Sequence, residues 1–115
     1  MPEIRSAAGY ATFINTFRCR PAHQAEVVQI NVDIIEQVAS AFPGFISASV
    51  HRSADGTRVF NYLQWETAEH LAAMQRSAEF QVIGRRFAGL IEFEPHQCDV
   101  VHVGERAGGS GHAGA

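Results

Sequence analysis

The most restrictive stretch of the chain is Arg58-Val59-Phe60-Asn61-Tyr62-Leu63-Gln64-Trp65, where large apolar residues fall on both sides of a strand-like run. Side chains alternate across a strand, so Phe60 and Tyr62 share one face while Asn61, Leu63 and Trp65 share the other. An antiparallel sheet with one wet face would instead alternate apolar with polar, so a sheet built on this run asks for cover on both sides. A second strand-like run, Phe45 to Arg52, precedes it, and the intervening Ser53-Ala54-Asp55-Gly56-Thr57 carries the Asp-Gly pair of a tight reversal. The two runs read as a β-hairpin.

The remaining elements follow from periodicity and punctuation. Tyr10 to Cys19 is rich in aromatic and β-branched residues and predicts a strand that Pro21 ends. Proline is accepted in a first helical turn, and from His23 onward Val27, Val28, Ile34, Ile35, Val38 and Phe42 recur at helical spacing. A helix of about five turns closed by Pro43-Gly44 is expected. Thr67 suits the N-cap of a helix carrying Leu71 and Met74, and Ser77 that of a further helical stretch carrying Phe80, Ile83, Phe87 and Leu90. Pro95 precedes a last strand, Gln97 to Val103. Strand, helix, strand, strand, helix, strand is the βαββαβ order of the ferredoxin-like α+β fold with an antiparallel sheet. Its helices cover one sheet face, and a second copy of the chain is the simplest cover for the other, making a homodimer; a monomer with a half-polar sheet is the alternative.

At 115 residues and 46% hydrophobic, the chain has room for one core. The domain should span about residues 9 to 103, and the glycine-rich stretch from 104 to 115, without an apolar anchor, should be a flexible tail. A formal charge of −3 with both signs scattered offers no basic stripe for nucleic acid. No apolar run approaches the ~20 residues of a membrane span. Cys19 and Cys98 lack zinc-like spacing and read as reduced thiols of a cytoplasmic protein.

Asn61 beside Leu63 and Trp65 should face the helices, and a core-facing amide is costly unless hydrogen-bonded. It is either a satisfied structural Asn or part of a cavity wall. Asn15, between Phe13 and Phe17 on the first strand, presents the same choice. Two such amides facing one layer resemble the few polar groups of an apolar small-molecule pocket, able to orient a phenol or quinone and to stabilise an oxyanion on it. His51 belongs either to that cavity or to the hairpin rim, and His70 reads as a surface helix residue. Arg85 and Arg86 suit a solvated face, or one of them closes over an anionic substrate. His96 and His102 do not form a metal motif, so no metal is expected. Neither a nucleophile with its base nor a nucleotide-binding glycine loop is present, which argues against a self-contained dehydrogenase or kinase.

Pro43-Gly44-Phe45, the run from His51 to Val59, Asn61-Tyr62-Leu63-Gln64-Trp65-Glu66, Pro95-His96 and Asp99 to Val103 together resemble the antibiotic biosynthesis monooxygenase domain, of dimeric α/β-barrel architecture. The resemblance covers nearly all of residues 10 to 103. It implies a monooxygenase that oxidises an aromatic polyketide intermediate, an anthrone or related phenol, to a quinone with O2 and without flavin, haem or metal. It further implies that Asn15, Asn61 and Trp65 hold the substrate oxygens, with His51, Leu63, His70, Met74 and Arg86 as substrate contacts. Some anthrone oxygenases carry a Tyr where this chain has Leu71, so a proton carrier would have to come from His51, His70 or Arg86. Relatives that open the ring of angucycline-type quinols draw on reduced flavin. Haem-degrading relatives need an iron-ligating His where this chain has Gln75, which disfavours haem. A non-catalytic binding or cyclase-like domain of the same fold is the remaining alternative.

Overall fold

The computed structural model describes residues 9 to 107. Five strands form one antiparallel sheet: β1 (Ala11–Arg18), β2 (Phe45–Arg52), β3 (Arg58–Trp65), β4 (Glu92–Glu94) and β5 (Gln97–Cys98). Helices α1 (Gln24–Gln37), α2 (Ala68–Gln75) and α3 (Ala78–Gly84) complete the ferredoxin-like α+β fold. The sheet order is β2-β3-β1-β4, with β5 also paired to β1.

β1 and β3 pair along their whole length, from Ala11 opposite Trp65 to Arg18 opposite Arg58, so Asn15 and Asn61 lie directly across from each other. The hairpin β2-β3 has the expected limits. In its turn the Asp55 carboxylate accepts from Ser53 Oγ at 2.7 Å, Thr57 Oγ1 at 2.7 Å and the Thr57 N–H at 3.0 Å. The Thr57 and Ser53 bonds to the charged form hold Asp55 down at about 2, against an ordinary 3.8. A depressed folded value stabilises the turn fully above the unfolded value and ceases to do so as pH falls through the folded one. The difference in Tm between the wild type and Asp55→Asn should therefore shrink from about pH 4 down to about pH 2 in an acid series of thermal melts.

Three segments differ from expectation. The helical stretch read as carrying Phe80, Ile83, Phe87 and Leu90 is α-helical only to Gly84; a 3₁₀ turn, Arg85–Phe87, follows, and Ala88 leaves helical geometry. The first helix ends at Gln37, because Val38 leaves helical geometry (φ −125°, ψ −64°), and a single 3₁₀ turn, Ala39–Ala41, follows. Phe42 is then extended, the conformation favoured before Pro43. The last strand is shifted and shortened: β4 and β5 continue one register along β1, broken at Pro95, and regular structure stops at Cys98. Cys98 pairs with Thr12, next to the first residue of β1, so Val100 to Val103 run past the first residue of that strand. The tail expected from residue 104 lies outside the described residues beyond 107.

Both helix caps form: Thr67 Oγ1 accepts from the His70 N–H and Ser77 Oγ from the Phe80 N–H. They start α2 and α3 where these can pack on β3. One buried cluster joins Val38, Ala39, Leu63, Trp65, Leu71 and Met74, and a second joins Phe17, Val27 and Val59.

Candidate active site

A cavity of about 380 Å³ opens between the helical layer and the helix-facing side of the sheet. The sheet contributes Asn15, Phe17, Asn61, Leu63 and Trp65, while Leu71, Met74 and Phe80 close it from α2 and α3. Phe87 stacks on Phe17, with ring centres 5.2 Å apart, and the Phe93 ring centre lies 4.9 Å from that of Phe17. The enclosure is largely apolar and suits a planar aromatic body.

Its polar wall is a chain of three buried asparagines. The His96 N–H donates to Asn15 Oδ1 (3.3 Å), Asn15 Nδ2 to Asn61 Oδ1 (2.8 Å), Asn61 Nδ2 to Asn31 Oδ1 (2.9 Å), and Asn31 Nδ2 to the Val27 carbonyl (3.0 Å). Both ends are backbone groups of fixed sense. A carbonyl can only accept and an N–H can only donate, so the orientation of all three amides is fixed between them. Every Oδ1 is thereby engaged by a donor, and each Nδ2 keeps one further N–H. The wall thus keeps one free N–H on each amide, while each Oδ1 already accepts one bond and retains its second lone pair.

Trp65 adds another donor. Its ring is fully buried and meets Phe45 edge-on at 5.4 Å. Its Nε1 is the one buried side-chain N or O atom without a partner among the described residues. An unmet buried donor costs about 1–3 kcal/mol, and Trp65 is among the residues that line the cavity.

Of the residues singled out in the sequence, Asn15, Asn61, Trp65, Leu63 and Met74 come together on this cavity. His51, His70 and Arg86 do not. His51 is opposite Phe60 in the β2-β3 register, which puts it on the other sheet face, exposed, with Nε2 2.9 Å from Ser49 Oγ. His70 lies over Gly44, where an added Cβ would collide with the imidazole, and its Nδ1 is 2.8 Å from Thr67 Oγ1. Arg86 is held by Asp33 of α1 at 2.7 Å. The hydrogen bond from Arg86, assisted by one from Gln29, keeps the Asp33 carboxyl below its usual range. Arg85 borders the cavity instead, exposed and with no ion pair among the described residues. It is the one ionisable side chain on the described wall.

Asn31 was not singled out from sequence. Its signal was a polar residue at helical spacing between Val27 and Ile34, within the apolar stripe of α1.

Residues 11–86 match the family model described as "Antibiotic biosynthesis monooxygenase". The tetracenomycin-F1 monooxygenase of Streptomyces glaucescens is 30% identical over 102 residues, 89% of this chain and 91% of that protein. Among solved structures, SnoaB of Streptomyces nogalater, described as a cofactor-independent oxygenase, is similar with a TM-score of 0.67 at 18% identity, over 84% of this chain and 97% of that one. PA3566 of Pseudomonas aeruginosa is similar with a TM-score of 0.71 at 17% identity, over 86% of this chain and 100% of that one. At such identities the structural likenesses speak for the fold.

Proposed function

The chain belongs to the antibiotic biosynthesis monooxygenase family, and from that membership we propose an oxygenase that converts an aromatic polyketide intermediate, an anthrone or related phenol, into a quinone with O2 and no cofactor. The observation that carries this reading is the donor-rich wall of an otherwise apolar cavity. Neutral N–H donors in the wall of a largely apolar site favour an oxygen that gains negative charge, the demand made by an ionising phenol or enolate. The similarity to tetracenomycin-F1 monooxygenase supports the same reaction class.

The reaction balances without an external reductant. An anthrone loses its acidic C–H proton to give an enolate, whose carbon passes one electron to O2. The resulting radicals join in a C–O bond. Loss of the second proton from that carbon then breaks the O–O bond, leaving a carbonyl and water. Asn15, Asn61 and Trp65 would hold the charged oxygen, the phenylalanines would hold the rings and exclude water, and Arg85 at the rim would favour the anion by its charge. With no carboxylate or imidazole on the described wall, the substrate proton leaves to solvent. The profile of kcat/KM should then follow one ionisation, the substrate's own, rising with pH to a plateau.

Oxygen-electrode measurements with an anthrone, first alone and then with reduced flavin, test the reading. Uptake without flavin is expected. Uptake confined to the flavin arm would favour a ring-opening oxygenase, and none in either arm would leave a binding or cyclase-like domain.

Homodimerisation is part of the same proposal. Ile14, Phe60 and Tyr62 lie on the open face of the sheet, only half-buried in the single chain, and a second copy laid against that face would cover them. Sedimentation should give a dimer, and Phe60→Glu should shift it to monomer; a monomeric wild type would refute the arrangement.

A further inference from the structure

We propose that Asn31 is the positioning residue that anchors the asparagine chain at its helix end and reinforces its direction, and that through it the pocket binds its phenol as the anion. The inference rests on the phenol-oxidising reading above and adds a residue of α1 to the sheet asparagines, Asn15 and Asn61, of the polar wall. Asn31 is 2% exposed and neighbours Ile30 and Ile34 on the buried face of the helix. An aliphatic side chain would serve helix and core at least as well there. What Asn31 supplies is an oriented acceptor.

Its Nδ2 is tied to the Val27 carbonyl one turn earlier on the same helix, so its Oδ1 must point away toward β3, where it takes the Asn61 Nδ2 proton. Without that acceptor, Asn61 keeps its sense only through Asn15 and the 3.3 Å bond from the His96 N–H, and its amide is freer to turn over and present Oδ1 to the cavity. The reversed amide would confront Asn15 Nδ2 with a second nitrogen and a phenolate with a lone pair. The phenol would then be bound in its neutral form, donating to Asn61. Asn31 thus controls which protonation state of the ligand the pocket prefers, with no need to touch the reacting atoms.

The side chains Thr and Val make a matched pair for testing this. They share one shape, but a helical Thr can donate its hydroxyl to the carbonyl one turn earlier while its oxygen still accepts. Alizarin, a dihydroxyanthraquinone whose colour reports ionisation of its phenol, is the probe, titrated with pH in the presence of saturating full-length protein. Wild type should lower the apparent pKa of the bound dye by at least one unit relative to free dye. Asn31→Val should abolish most of that shift and Asn31→Thr should retain a clear part of it, with both variants folded by near-ultraviolet circular dichroism.

A wild type that leaves the dye's pKa unshifted would overturn the phenol-anion reading of the pocket itself. A wild-type shift that Val and Thr preserve equally, or lose equally, would overturn only the role of Asn31, because packing cannot distinguish these two side chains. Should neither variant fold, ¹⁵N-labelled wild type decides the point. On dye ionisation the side-chain amide signals of Asn31 and Asn61 should move together, and an unmoved Asn31 overturns the proposal.

Discussion

Trp65→Phe is expected to lower kcat/KM for the aromatic substrate by about 100-fold or more while leaving the ligand-free protein within about 1 kcal/mol of wild-type stability. The two halves of this expectation have one cause. In the free protein the indole Nε1–H is buried with no acceptor, so removing it relieves a desolvated donor. Phe loses some packing against Phe45 and the α2 residues Leu71 and Met74, which opposes that gain. On the proposed reading, with substrate bound the same N–H would be the donor whose acceptor becomes charged during reaction. A lost donor to a developing oxyanion costs about 100- to 1,000-fold in rate. Thermal melts of the free protein and steady-state oxygen uptake measure the two halves separately. A variant with full activity would show that the indole N–H does not meet the substrate, and a strongly destabilised one would show that Trp65 serves mainly as core.

Much of the frame was legible because its determinants are local. Asp55-Gly56 fixed the hairpin, Thr67 and Ser77 fixed the starts of α2 and α3, and parity along β3 assigned Asn61, Leu63 and Trp65 to one face. What escaped depends on partners distant in the chain. Val100 to Val103 have strand-forming side chains, but β1 begins at Ala11, beside Cys98's partner Thr12, and gives them no strand partner among the described residues. Arg85 and Arg86 are adjacent and chemically alike, and only Asp33 on α1 decides that Arg86 is spoken for. His51 was decidable in principle, since the tight turn sets the register that places it opposite Phe60 and hence away from Asn61. Asn31 interrupts an apolar stripe, a pattern that marks an oddity without naming its partner 30 residues away.

Asn61→Asp should be the most damaging single change, lowering kcat/KM by about 1,000-fold near neutral pH, with a deficit that narrows as pH falls. Asn61 stands in the middle of the chain, accepting from Asn15 and donating to Asn31. The introduced carboxylate can still accept from Asn15 Nδ2 but opposes Asn31 Oδ1 with a second oxygen, and it places negative charge where the substrate's must form. Burial and that opposing acceptor both disfavour the ionised acid, so its pKa should lie above the ordinary carboxylate value. Below that pKa the protonated carboxyl regains a donor for Asn31 and loses the charge that repels the anion. The ratio of variant to wild-type kcat/KM should therefore climb toward acid even though wild-type activity declines there with substrate protonation. Asn61→Leu, which removes donor and acceptor without adding a titrating group, should show a deficit that does not change with pH. A flat ratio for Asn61→Asp, indistinguishable from that of Asn61→Leu, would mean that Asn61 shapes the cavity without holding the charge.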